Sequence, residues 1–175
     1  MIFVTIGTQG PFDRLIRTVD RAAEYFDDPI VAQIATDGKY APVNMKTSAF
    51  MPYSEFHEHF RKSRMIIAHA GMGTIINALV EYKPIIILPR LAKYGEQRND
   101  HQWDTAKALE KLGYVHAAYD EDELFEKLKL FATTGLKPLH SIGEFAAGEL
   151  ITALRKDLNH HTALSDHPSF EMRST

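Results

Sequence analysis

A phosphate-binding turn is the first chemistry that the sequence indicates. His69-Ala70-Gly71-Met72-Gly73-Thr74 follows an apolar run and precedes a helical pattern. Gly71 and Gly73 would let the backbone approach a ligand closely and adopt φ values that other residues avoid. A helix starting here would present unpaired N–H groups and the positive end of its dipole, with the Thr74 hydroxyl beside them. We predict that this turn binds phosphate; the alternative is a tight connection that binds nothing.

This turn does not complete a dinucleotide fingerprint. The third glycine of that fingerprint is replaced by Ile76. The acidic residue expected at the end of the next strand is missing as well, because that strand ends Leu88-Pro89-Arg90. A nicotinamide cofactor is therefore disfavoured.

Two further segments carry groups that could face the same ligand. Gly7-Thr8-Gln9-Gly10 follows the first apolar run, and it lacks the Gly-Lys-Ser/Thr ending of a Walker loop. Residues 89–102 collect carboxylate, amide and imidazole groups that suit sugar hydroxyls. The cations in that segment could offset phosphate charge; they are Arg90, Lys93 and Arg98. An ordinary alternative is that Asn99 or Asp100 caps the following helix, and both interpretations can hold together.

Other suggestive patterns have ordinary explanations that we favour. His57 and His59 resemble a metal pair, but residues two apart on a helix point in different directions. Asp120-Glu121-Asp122 matches the D-x-D pattern of metal-dependent glycosyltransferases, yet it also suits an acidic helix start. We predict no metal site and no cofactor.

Strands alternate with helices along the chain, which predicts an α/β fold with a mostly parallel, Rossmann-like sheet and helices on both faces. The predicted strands are residues 2–8, 30–35, 49–51, 65–70, 85–88 and 114–119. The predicted helices are residues 12–26, 55–62, 74–82, 100–112, 122–132 and 144–158. In the helix at 100–112, we expect one buried face that includes Trp103, Ala106, Leu109 and Leu112. Parallel open sheets bind ligands at the carboxyl ends of their strands, where the three polar loops would meet.

Composition indicates one globular domain and excludes several classes. The 175 residues are 45% hydrophobic, contain no cysteine and carry a formal net charge of -3. A disulfide scaffold, a cysteine nucleophile and a global positive field for nucleic acid are therefore disfavoured. The start of the chain has no basic leader, and no stretch approaches the roughly 18 apolar residues of a membrane span. We predict a binding domain over residues 1–158 and a loose polar tail over residues 159–175.

Three motifs together resemble the C-terminal domain of family 28 glycosyltransferases. They are the opening residues 2–15 with Gly7-Thr8-Gln9, the central residues 69–75, and Pro89-Arg90 followed by Gly95-Glu96 and residues 98–102. The resemblance covers roughly residues 2 to 155 in order. The closest likeness is to stand-alone subunits of bacterial exopolysaccharide glycosyltransferases, which are relatives of the eukaryotic subunit that adds the second N-acetylglucosamine to dolichol-linked glycans.

The resemblance implies the C-terminal half of a GT-B enzyme, in which two Rossmann-like domains face each other across a cleft. This half binds the nucleotide-sugar donor, and the other half binds the acceptor and usually supplies the base. In such families the other half is a separate, membrane-associated subunit. We therefore expect a cytoplasmic protein that its partner recruits to the inner face of the membrane, where a hexosyl group passes from a UDP-sugar to a lipid-linked saccharide.

The resemblance also implies residue roles. His69 and the turn after it would hold the diphosphate and stabilise the leaving group, while His101 and Gln102 would contact the donor sugar. Asn77 stands where many relatives place a glutamate that binds the ribose hydroxyls. The full set of expected donor contacts is Gly7, Thr8, Gln9, Gly71, Met72, Gly73, Thr74, Asn77, Arg90, Glu96, Asn99, His101 and Gln102. The alternative function is a non-catalytic regulator that binds a nucleotide sugar.

Overall fold

A computed structural model describes residues 1–143 of the chain. Its strands are β1 (Ile2–Thr5), β2 (Ile30–Gln33), β3 (Lys46–Ser48), β4 (Met65–His69), β5 (Ile85–Leu88) and β6 (His116–Ala117). Its helices are α1 (Asp13–Ala22), α2 (Tyr53–Lys62), α3 (Met72–Val80), α4 (His101–Lys111) and α5 (Glu121–Thr134). The helix expected at residues 144–158 and the tail expected at 159–175 lie outside the described residues, so that domain boundary stays a prediction.

The six strands form one parallel sheet in the order β3-β2-β1-β4-β5-β6. The chain moves from β1 in one direction to β2 and β3, and then returns to place β4 on the other side of β1. This order is that of the Rossmann fold, with its switch point between β1 and β4. The predicted α/β class with a parallel sheet is confirmed.

Helices cover both faces of the sheet because alternate strand residues point to opposite sides. Ile2, Val4 and Ile67 pack with the apolar stripes of α1 and α5 on one face. Phe3 and Ile66 belong to the second cluster, with buried residues of α2, α3 and α4. The strands therefore read as continuous apolar runs, since each is covered on both sides.

The structure corrects the predicted position of the third strand. β3 is the polar triplet Lys46–Ser48 at the sheet edge, three residues before the apolar triplet 49–51. As an edge strand it has one neighbour, and it needs backbone pairing more than apolar side chains. Residues 49–51 follow the strand, and Met51 is buried in the cluster beneath α2 and α3.

Two smaller predictions, about β6 and α4, also change. β6 contains only His116–Ala117, where the longer segment 114–119 was expected. Leu112 was expected on the buried face of α4, but it is 62% exposed. The helix buries Ala106, as expected, and also Gln102. Its buried face therefore begins one residue earlier than expected and includes a polar side chain.

Asp20 fixes the chain that leads into β3. Its buried carboxylate accepts hydrogen bonds from the Tyr40 hydroxyl (2.7 Å), the Val43 N–H (3.1 Å) and the Asn44 N–H (2.7 Å). These bonds tie residues 40–44 to α1, and two residues later the chain pairs with β2. The early position of β3 follows from this anchor. No helix within residues 1–143 has the length and apolar character that a membrane crossing requires.

We expect Asp20→Ala to lower the free energy of unfolding by about 2–4 kcal/mol, because it leaves buried donors without an acceptor. Urea denaturation gives the loss, and hydrogen exchange at the β2–β3 pairing should quicken. The exposed Asp27 provides the control, since Asp27→Ala should change stability by less than about 0.5 kcal/mol. Equal effects of the two substitutions would show that Asp20 does not anchor this segment.

Candidate functional site

A cleft of about 670 Å³ opens at the carboxyl ends of β1 and β4. After β1 the chain passes to α1 on one face, and after β4 it passes to α3 on the other. The two loops diverge, and the crevice between them is the usual ligand position in an open parallel sheet. The segment that precedes α4 forms a third wall.

The structure brings most of the predicted site residues together in this cleft. They are His69, Gly7, Thr8, Gln9, Gly71, Met72, Gly73, Thr74, Asn77, Asn99, His101 and Gln102. These residues come from three segments far apart in sequence, and the parallel sheet brings them to one edge. Their roles toward a ligand stay predictions.

The amino-terminal end of α3 faces this cleft without a side-chain cap. Gly71 is the N-cap residue, and no side chain accepts a hydrogen bond at this end. The N–H groups of Met72, Gly73 and Thr74 therefore have no partner within the helix. Together with the helix dipole, they make this end suitable for an anion.

The imidazole of His69 lies between Gly7 and Gly71. A Cβ atom built on Gly7 would stand 2.6 Å from His69 Nε2, and one built on Gly71 would stand 2.1 Å from its Cε1. Any side chain at either position would collide with the ring. Gly7 also adopts φ +72°, which favours glycine. Both glycines are thus required by the protein's own histidine.

This arrangement corrects the expected reason for the glycines of the turn. Gly71 has φ -85°, an ordinary value, so unusual backbone geometry does not explain it. Gly73 lies in the first turn of α3, and a Cβ there would meet nothing within 4 Å. The positive φ that was expected at Gly71 and Gly73 is found instead at Gly7, on the wall formed by the loop after β1.

Gln102 holds the other side of the His69 ring. Its Nε2 lies 3.3 Å from His69 Nδ1, and its Oε1 accepts a hydrogen bond of 3.1 Å from the Arg90 backbone N–H. The side chain is only 7% exposed. In this conformation the oxygen of the Gln102 amide is engaged by Arg90 and its NH₂ group lies beside His69, while the sugar contact expected of Gln102 stays a prediction.

His69 is a neutral imidazole near pH 7. Burial, and then the positive charge of Arg90, lower the pKa of His69 from 6.5 to about 4. A neutral ring can still donate one N–H to an anion. It does not, however, bring a positive charge to the leaving-group stabilisation that is predicted for His69.

The structure does not place Arg90 in the cleft with the other predicted residues. The side chain is 1% exposed, and its guanidinium donates to the carbonyl oxygens of Ile6 (2.9 Å), Gly10 (2.8 Å) and Pro11 (2.8 Å). It also stacks over the Phe12 ring at 4.6 Å. Arg90 fixes the loop after β1 from behind, since three backbone acceptors match its fork of donors.

Glu96 also lies outside the cleft, in a neighbouring groove with Arg14. Its carboxylate accepts two hydrogen bonds from Arg14 (2.9 and 3.0 Å) and one from the Leu91 N–H (3.0 Å). Arg14 additionally donates to the Pro89 carbonyl oxygen at 2.8 Å. This cluster ties the segment before α4 to α1. Lys93 and Arg98 are exposed and do not line the cleft.

Asp100 is the N-cap residue of α4, but its side chain does not cap the helix, since its carboxylate accepts from the Ala92 N–H. Asn99 Oδ1 accepts a hydrogen bond from the N–H of His101, the first residue of α4. Asp120 caps α5 by accepting from the Glu123 N–H at 2.7 Å, as the ordinary explanation of the D-x-D match expects.

One wall of the cleft was not anticipated from the sequence. It consists of Phe50, Met51, Tyr53 and Phe56, which follow β3 and begin α2. Phe50 is 70% exposed and Tyr53 is 79% exposed. Exposed aromatic rings that cluster at a pocket usually mark a binding surface. Assigning residues 49–51 to a strand concealed this wall. The signal available in the sequence was the pair of aromatic residues that follows a strand of the parallel sheet.

The geometry agrees with what known proteins show. The family model "Glycosyltransferase family 28 C-terminal domain" matches residues 1–149. The chain belongs to this family. Solved glycosyltransferases of the GT-B class share its parallel-sheet fold, so the predicted fold class and resemblance are confirmed.

Two curated relatives and one solved structure are similar to this chain. Both relatives are named UDP-N-acetylglucosamine transferase subunit ALG13. The Homo sapiens protein is 28% identical over 125 residues, which are 65% of this chain and 10% of that protein. The Cryptococcus neoformans protein is 38% identical over 78 residues, which are 45% of this chain and 38% of that protein. The solution structure of ALG13 shares the fold, with a TM-score of 0.55 and 20% identity over 87% of this chain and 93% of that one.

Gly71→Ala and Gly73→Ala should separate the two reasons for glycine in the turn. Gly71→Ala pushes the His69 ring away from Gln102, and we expect a loss of about 1–3 kcal/mol in the free energy of unfolding. Gly73→Ala has open space, and we expect stability to stay equal or rise by up to about 1 kcal/mol. Thermal and urea unfolding measure both. Similar losses in the two variants would contradict the packing of His69 between the glycines.

The lowered pKa of His69 predicts a loss of stability in acid. The unfolded chain binds a proton at this residue near pH 6.5, whereas the folded protein does so only near pH 4. Between these values the unfolded state binds more protons, so the free energy of unfolding falls as pH falls, by up to about 3 kcal/mol.

Urea unfolding across this range should show a shallower fall for His69→Asn than for the unchanged protein. The exposed His140 supplies the control, and His140→Asn should keep the full slope. Parallel slopes for His69→Asn and the unchanged protein would mean that His69 titrates normally.

Proposed function

We propose that this chain is the donor-binding subunit of a glycosyltransferase that moves a hexosyl group from a UDP-sugar to a lipid-linked saccharide. The observation that carries the proposal is the uncapped start of α3 with the His69 ring beside it, at the switch point of the sheet. Family membership adds to this observation, because the chain matches the C-terminal domain of family 28 glycosyltransferases. By its resemblance to that family, this domain is the half that binds the donor.

The diphosphate of the donor fits the wall formed by β4 and α3. The N–H groups of Met72, Gly73 and Thr74 offer donors along one edge, and the ring of His69 offers another. An open Cβ position at Gly73 leaves room for phosphate oxygens to approach the backbone. Several convergent donors are what a doubly charged group needs when it leaves water.

The two ends of the cleft suit the two organic parts of the donor. Phe50 and Tyr53 present flat apolar surface for a pyrimidine ring. Asn77 of α3 lines the same cleft, and its amide can bond ribose hydroxyls. Asn99 and His101 are exposed on the wall before α4. We assign these two residues to the sugar, while Gln102 acts from behind.

Transfer requires that negative charge building on the departing UDP be stabilised. The start of α3 and the N–H donors around it do this by fixed dipoles that need no rearrangement during the reaction. The bond from the anomeric carbon to the phosphate oxygen breaks as the acceptor hydroxyl attacks. The proton of that hydroxyl goes to a base that we place on the partner subunit.

The relatives' names support a partner subunit. Both curated relatives are called subunits of a UDP-N-acetylglucosamine transferase. The match covers 93% of the ALG13 solution structure and about two fifths of two longer glycosyltransferase chains that share the fold. We propose a membrane-associated partner that binds the acceptor and holds this chain at the cytoplasmic face, in exopolysaccharide synthesis.

The test combines binding and transfer. Calorimetric titration with UDP, on the chain alone and with its partner, reports binding, and release of UDP from a panel of UDP-sugars reports transfer. We expect His69→Ala to reduce transfer by about 10²- to 10³-fold, the usual cost of removing one stabilising donor. His140→Ala, distant from the cleft, should transfer normally.

The outcomes separate the proposal from its rival. Failure to bind UDP even with the partner present, or normal transfer by His69→Ala, would refute the site. Tight binding of a UDP-sugar with no transfer to any acceptor would instead identify a regulatory protein. Binding of NAD in place of UDP would point to a dinucleotide domain.

A further inference from the structure

We propose that Gln102 is a positioning residue that fixes His69 as the tautomer with its hydrogen on Nε2, so that this N–H, rather than a charged ring, faces the anion in the cleft. The assignment of Gln102 and of the tautomer concerns the free protein. Only the identity of the anion, the diphosphate of a nucleotide sugar, rests on the function proposed above.

The orientation of the Gln102 amide follows from its buried partner. The Arg90 backbone N–H can only donate, and it lies 3.1 Å from Gln102 Oε1. Turning the amide over would set its NH₂ group against that N–H, and two donors would face each other in the interior. The desolvation cost of such a pair is about 1–3 kcal/mol, which is enough to select one orientation.

The orientation of the amide then determines the state of the imidazole. With Oε1 facing Arg90, the Gln102 NH₂ group lies 3.3 Å from His69 Nδ1 and needs an acceptor there. Nδ1 accepts only when it carries no hydrogen, and the hydrogen of a neutral ring is then on Nε2. A doubly protonated ring would set its Nδ1–H against the same NH₂ group. The nearby guanidinium of Arg90 disfavours that charged form as well.

Nε2 lies where a ligand can approach it. His69 lines the cleft, and its hydrogen bond within the described residues is made by Nδ1 rather than by Nε2. Nε2 is not among the fully buried polar atoms that lack a partner, so it keeps some contact with solvent. A hydrogen on Nε2 is thus available to a ligand in the cleft beside the start of α3.

Gln102 lines the same cleft but is largely buried. It is buried at the second position of α4, and both atoms of its amide are used inside the protein. Its neighbour His101 is exposed on the same wall. The adjacent His101 and Gln102 therefore have separate tasks, in which His101 can reach the ligand and Gln102 acts on His69.

Nitrogen NMR of the imidazole rings tests this assignment directly in the full 175-residue chain. His69→Asn identifies the His69 signals by their disappearance. At pH 7 we expect a pyridine-like Nδ1 without a hydrogen and a pyrrole-like Nε2 with one. A pyrrole-like Nδ1 in the unchanged protein would overturn the proposal, and this result does not depend on any variant folding.

Gln102→Glu then tests whether Gln102 sets the tautomer. The carboxylate has the same shape and can accept from both the Arg90 N–H and the His69 Nδ1, so the hydrogen should move to Nδ1 or the ring should become protonated at pH 7. Gln97→Glu is the matched control, because it adds the same charge to the cleft without touching His69. An unchanged His69 tautomer in folded Gln102→Glu, or the same change in Gln97→Glu, would refute the role of Gln102.

Adding UDP to the unchanged protein distinguishes this inference from the proposed function. A shift of the His69 Nε2 signal on titration supports both. The expected tautomer without any response to UDP would leave the role of Gln102 intact and refute the assignment of the ligand.

Discussion

The buried residue Arg90, through its side chain and its backbone, joins the three loops on which the site depends. Its side chain donates to carbonyl oxygens of the loop after β1, and its backbone N–H holds the Gln102 amide at the start of α4. That amide in turn contacts His69 at the end of β4. One residue shortly after β5 therefore sets the positions of groups from these three loops. Removing it would take this donor from three carbonyl oxygens, of which that of Ile6 is in a buried contact and two are in partly buried ones, a larger cost than the loss of a single surface contact.

The same cation shapes the electrostatics of the cleft. Arg90 makes no ion pair with any residue in the range 1–143, and Glu96, which attracts it from a distance, is committed to Arg14. Burial of the Arg90 side chain lowers the pKa of Arg90, but the guanidinium remains charged at neutral pH. A positive charge behind a low-dielectric wall favours an anion in front of it and disfavours a proton on His69. Arg90 thus adds to burial, the larger cause, in keeping His69 neutral.

Sequence patterns were sufficient for the sheet and for most of the cleft. Parallel strands place their carboxyl ends together, so polar loops after β1, β4 and β5 had to converge, and Gly7, His69 and His101 do. Patterns failed where a tertiary contact decided the outcome. Asp20 anchors residues 40–44 and brings β3 forward, which no periodicity reveals, and Phe50 is freed to line the cleft. Arg90 follows a strand as ligand-binding residues do, but its destination depends on which carbonyl oxygens lie behind it.

The glycines show why residue type alone misassigns a role. A glycine beside a phosphate site suggests room for the phosphate, but Gly7 and Gly71 make room for an imidazole, and only Gly73 is open to an incoming group. A ring held by glycines on one side and by an amide on the other has one orientation available. An immobile neutral donor stabilises an arriving anion without having to reorganise, which is the property that electrostatic stabilisation of a leaving group requires. The structure thus places a tightly packed neutral ring, rather than a charged one, near the start of α3.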